Sequence, residues 1–142
     1  MGATGFDWAA YAYIKDSAGN DWDGDGPAAI ADAGSCISNT AVDLDVKAAC
    51  EVGLSIGDPG GVVSGVVTVY VLGDAGGFAD EEITVGSPWS FTITPVNGDV
   101  VYKRFSVDPG SYGTFKIALA NESGHTIATS VKVRTANIPV AS

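Results

Sequence analysis

The sequence predicts an all-β domain, an antiparallel β-sandwich of jelly-roll or immunoglobulin-like type with seven or eight strands. Three observations predict it. Apolar residues recur with period two rather than 3.6. Clusters of Gly, Asp, Asn and Pro break these runs at the roughly 8–12-residue spacing of sandwiches and barrels. The chain has 142 residues, the size of one domain. With 46% hydrophobic residues it can fill a core despite its 19 glycines.

The first strand is expected over residues 8–14. Residues 20–34 follow, rich in Gly, Ala and Asp, with almost no apolar periodicity. They read as an acidic exposed excursion before the second strand. A weaker strand is expected over residues 36–44 and a longer one over 46–56. A helix competes only at residues 42–54, where Val46, Ala49 and Val52 share a helical face. Residues 65–72 are β-branched and apolar on both faces, with Val67, Val69 and Val71 against Val66, Thr68, Tyr70 and Leu72. That pattern belongs to a central strand covered on both sides.

Phe91-Thr-Ile-Thr-Pro-Val alternates, and Pro95 marks its end or an edge. Tyr102, Arg104 and Ser106 alternate with Val101, Lys103, Phe105 and Val107. Phe115, Ile117 and Leu119 alternate with Lys116, Ala118 and Ala120. Ile127, Thr129, Val131 and Val133 oppose Ala128, Ser130, Lys132 and Arg134. Turns are expected at Ser17-Ala-Gly-Asn, Gly57-Asp-Pro-Gly-Gly, Gly73-Asp-Ala-Gly-Gly, Asp108-Pro-Gly and Asn121-Glu-Ser-Gly-His. Asn97-Gly98 is a two-residue hairpin signal, because both residue types tolerate positive φ. The expected core is Val67, Val69, Val71, Phe91, Phe105, Phe115, Ile117, Leu119 and Val131.

Charge is uneven. Residues 1–100 carry two basic residues against fifteen acidic ones, a net of −13; residues 101–142 carry a net of +3. A total of −10 repels polyanions, so nucleic acid is not an expected partner. A solvated surface, or docking of the acidic part on a basic partner, accounts for the imbalance. The N-terminal residues lack the basic and apolar segments of a signal peptide, and Phe6 spoils a myristoylation signal at Gly2. No stretch reads as a membrane span. Cys36 and Cys50 lack zinc spacing and are expected as reduced buried thiols, although neighbouring strands can also bring such a pair together.

Asp21, Asp23, Asp25, Gly26 and Asp32 match positions 1, 3, 5, 6 and 12 of a calcium loop. Hard carboxylate oxygens at alternate positions can wrap one Ca²⁺. An acidic solvated loop is the competing reading, since the last position is Asp rather than Glu and no flanking helices are expected. Trp22, inside this loop, is the aromatic residue expected to be exposed and available for binding, unless the loop packs back on the sheet. The other tryptophans and tyrosines can stack on sugars but are expected mainly as anchors. His125, the one histidine, has no nucleophile or orienting acid nominated by the sequence. The Asp80-Glu81-Glu82 cluster does not fix the carboxylate separation that glycoside hydrolysis needs. No enzyme is expected.

Three segments resemble small accessory structural proteins of tailed bacteriophages: Gly65-Val-Val-Thr-Val-Tyr-Val-Leu, Pro88-Trp-Ser-Phe, and Tyr102-Lys-Arg-Phe-Ser-Val-Asp-Pro-Gly-Ser-Tyr-Gly-Thr-Phe-Lys. Val131-Lys-Val-Arg-Thr-Ala fits the same picture. The resemblance covers residues 40–142 and leaves out the acidic loop. It implies a β-rich virion protein, either a capsid decoration (cement) protein or a tail or fibre module that binds host glycans. The implied partners are the major capsid protein or other virion proteins, with many copies or a homo-oligomer on a lattice.

Overall fold

The structure is a computed structural model and describes residues 7–73, 90–109 and 113–137. The Asp80-Glu81-Glu82 cluster, Trp89, Tyr112 and the Gly73-Asp-Ala-Gly-Gly turn beyond its first residue lie outside the described residues. Among the described residues there is no α-helix. The described residues form eleven strands in chain order: β1 (Asp7–Trp8), β2 (Ala12–Tyr13), β3 (Ala29–Ile30), β4 (Ser35–Ile37), β5 (Val42–Asp43) and β6 (Lys47–Ile56). They continue with β7 (Val67–Gly73), β8 (Ser90–Ile93), β9 (Val101–Ser106), β10 (Thr114–Asn121) and β11 (Ile127–Asn137).

These strands occupy eight positions in two antiparallel sheets. The short strands β1, β2 and β3 all lie along β11 and share the first position; β4 and β5 both lie along β10 and share the second. The first sheet runs β1-β11-β6-β9 and the second β4-β10-β7-β8. Numbered by position, the sheets read 1-8-3-6 and 2-7-4-5. That order is the jelly roll and decides between the two expected sandwich types.

The topology corrects the reading of one turn. Asn97-Gly98 does not close a hairpin, because β8 pairs with β7 in one sheet and β9 pairs with β6 in the other. Gly98 does take positive φ (85°), and its N–H donates to Asp58 Oδ1 at 2.9 Å, which ties two crossing loops together. The segment around His125 likewise carries the chain from β10 to β11, between sheets. His125 Nε2 lies 2.8 Å from the Val62 carbonyl oxygen, and the Asn121 side-chain amide donates to the carbonyls of Ile30 and His125.

The competing helix at 42–54 is absent because β6 alternates buried Cys50, Val52, Leu54 and Ile56 with outward Glu51, Gly53 and Ser55. A helix would scatter that set around its circumference. Strand β7 is covered on both faces as expected. Val67, Val69 and Val71 join the main core, while Tyr70 and Leu72 pack with Ala118 on the other side. Phe115, Ile117, Leu119 and Val131 are fully buried, whereas Phe91 and Phe105 are only half-buried. Among the described residues both phenylalanines sit on the edge strands of their sheets. Cys36 and Cys50 are free, buried and on different sheets.

Candidate functional site

The acidic segment keeps Asp21, Asp23, Asp25 and Asp32 exposed but is tethered to β11 at several points. The chain leaves the edge of the first sheet at Lys15, turns at Asp16–Asn20, and bridges back at Asp21. Asp16 closes this turn by accepting the N–H groups of Ala18 and Asn20 on one carboxylate oxygen. From Trp22 onward the segment resumes pairing with β11, through Asp23↔Ser130 and then Ala29↔Ala128 and Ile30↔Ile127. Ala28 and Ile30 are buried, and a 3-10 turn at Gly26–Ala28 separates the paired stretches.

Trp22 is therefore corrected: it is fully buried and offers no face to a ligand. Its indole N–H donates to Thr129 Oγ1 at 2.8 Å, and the Thr129 hydroxyl donates to the Ala28 carbonyl at 2.7 Å. A large ring with one polar handle is held in the core by a buried partner that completes its own bonding.

The calcium spacing is also realised differently. Asp21, Asp23 and Asp25 border one shallow hollow of about 250 Å³ with Asn20 and Gly26. Asp32 does not line it; its carboxylate accepts the Gly124 N–H at 2.9 Å instead. Asp21 is paired with Lys15 at 2.6 Å. Among the described residues no group of three or more His, Cys, Asp or Glu side chains is placed to hold a metal ion.

The outer face of the first sheet carries the most developed surface site. Register lays it out in rows across the sheet. The central row is Tyr13–Lys132–Gly53–Arg104. A second row is Asp23–Ser130–Ser55–Tyr102, in which the Ser55 and Ser130 hydroxyls touch. Gly53 has no side chain in the middle of the sheet, so the face dips there. An added Cβ would meet Lys132 at 3.5 Å and Tyr11 at 3.6 Å, ordinary contact distances. The result is an open groove of about 580 Å³ walled by Tyr11, Tyr13 and Lys132 on one side and Tyr102 and Arg104 on the other.

A third row braces one end. The Glu51 carboxylate accepts two bonds from the Arg134 guanidinium, at 2.7 and 3.0 Å, and one from the Tyr11 hydroxyl at 2.9 Å. These donors hold the Glu51 carboxyl below its usual range, Arg134 first and Tyr11 second. Burial and the adjacent Glu51 push the Tyr11 phenol up. Arg134 also lies over the rings of Trp8 and Tyr11, 4.3 and 4.9 Å from their centroids, and Lys132 lies 5.1 Å from that of Tyr11. Tyr11 is thus fixed in orientation, while Tyr13 and Tyr102 are 47% and 77% exposed.

The sequence had marked the alternation that puts Tyr102 with Arg104, and Ser130 with Lys132 and Arg134, on common faces. It did not reveal that these two strands flank one glycine of β6. The available signal was Gly53 itself, since a glycine inside a strand often marks a close approach or a depression.

No family model and no curated protein matches the chain. Among solved structures it is similar to the PRD1 vertex protein P5, with 12% identity over 80% of this chain and 67% of that one, at a TM-score of 0.41.

Proposed function

We propose that this chain is a non-enzymatic structural protein of a tailed-phage particle, bound to the outer surface of the head as a decoration (cement) protein that stabilises it. The observation that carries the reading is the jelly-roll order 1-8-3-6 against 2-7-4-5, an architecture recurrent in viral shell and lectin domains. A fold alone does not assign a function. The direction comes from the resemblance of residues 65–72 and 102–116 to accessory virion proteins.

The major capsid protein or another virion protein is the partner in this reading, with many copies on a lattice. A weak contact repeated on a lattice, and linked to neighbouring copies, gains avidity without one strong site. The acidic N-terminal part steers encounter with a basic surface, a contribution that weakens with salt. A tail or fibre module that binds host-surface glycans is the alternative, and the tyrosine-walled groove favours it. Stepwise dissociation of purified particles, followed by immunodetection of this chain, separates the two. Co-fractionation with heads supports decoration; recovery only with tails or fibres rejects it.

A further inference from the structure

We propose that the groove over Gly53 is a binding site for a short acidic saccharide, a sugar carrying a carboxylate. Tyr13 and Tyr102 line opposite walls and are well exposed, and a tyrosine ring can stack on the C–H face of a pyranose. Ser55 and Ser130 supply hydroxyls at the floor, and Arg104 and Lys132 supply cations at the rim. Among the described residues neither Arg104 nor Lys132 is ion-paired to a carboxylate. Arg134, by contrast, is already occupied by Glu51. The groove is thus locally cationic on a chain of net charge −10. Its volume lies in the range of small-ligand sites.

Charge placement selects the ligand. A single-stranded nucleic acid needs a cationic track that continues along the strand. Here Asp23 closes one end, beside Asp21 and Asp25. An extended peptide gains its affinity by pairing along an open sheet edge, whereas this groove lies on the outer face of the sheet, centred over the interior strand β6. A short sugar with a carboxylate uses stacking, hydroxyl bonding and one strong charge contact together. The inference is independent of whether the chain sits on a head or a tail.

The test is calorimetric titration of the full chain with a hyaluronan tetrasaccharide and with tri-galacturonate, against neutral chitotetraose. At least one acidic probe is expected to bind, about tenfold or more tighter than chitotetraose, the equivalent of one charge contact. Amide shifts should centre on Gly53 and Ser55. Tyr102→Ala is expected to weaken binding by about tenfold or more, and Gly53→Val to abolish it by filling the dip. Both variants should melt within a few degrees of the parent, which separates a lost site from a lost fold. Absence of binding by both acidic probes overturns the proposal. So does chitotetraose binding equally well, binding that survives both substitutions, or tighter binding of an oligothymidylate.

Discussion

Phe91 on β8 and Phe105 on β9 meet edge to face across the two sheets, with ring centroids 5.0 Å apart and planes at 74°. Each ring belongs to an edge strand, and together they close the same side of the sandwich. Closure by one aromatic pair in a half-buried position is weaker than full enclosure. Phe105→Ala is expected to cost about 1–2 kcal/mol, and Phe115→Ala, with its ring fully enclosed, about 3–5 kcal/mol. Chemical denaturation of the two variants checks the ordering; equal losses would place Phe105 in the core proper.

Thr129 links the Trp22 indole to the Ala28 carbonyl. Thr129→Val keeps the shape but leaves a buried donor and a buried acceptor unpaired. Each orphaned group costs about 1–3 kcal/mol, so a loss of about 2–6 kcal/mol is expected in urea denaturation. Thr129→Ser, which retains the hydroxyl, should recover most of that loss.

Glu51 gives the outer face its pH dependence. Its carboxyl titrates below the usual value because Arg134 and Tyr11 donate to the ionised form. A depressed folded pKa contributes stability that is present above the unfolded value, about 4.3, and is lost as pH falls through the lower folded value. Glu51→Gln is therefore expected to lower the melting temperature at pH 7 and to differ little from the parent at the acid end. A constant difference at all pH values would contradict this role.

The Cys50 thiol is pushed up to about 12 by burial and by the neighbouring Glu51. Only the thiolate is nucleophilic. Ellman's reagent at pH 8 is expected to leave Cys50 unmodified in the native protein and to label it rapidly in denaturant. Fast labelling of native protein would mean that the two sheets part readily around β6.

Strand period and turn chemistry made most of the fold legible: β6 and β9 fall within the expected runs, and β7, β10 and β11 overlap them and extend one to three residues beyond. What they could not convey is which strands become neighbours. Asn97-Gly98 carries a strong hairpin signal, yet its flanking strands join different sheets. Turn residues report local φ, not the partner across the ladder. The anchoring of the acidic segment is hidden in the sequence for a related reason. Trp22, Ala28 and Ile30 are too sparse to form a period, but one indole with a buried hydroxyl partner anchors the stretch. The groove needed both kinds of information, because Tyr13, Gly53 and Tyr102 are remote in sequence and meet only through register.

Central to this account is attachment of the chain to a particle in many copies. The direct measurement is quantitative mass spectrometry of purified intact particles, giving the ratio of this chain to the major capsid protein. A decoration protein is expected at a fixed ratio that is a sizeable fraction of the shell subunits and persists after tails are removed. Absence of the chain from purified particles would contradict the account.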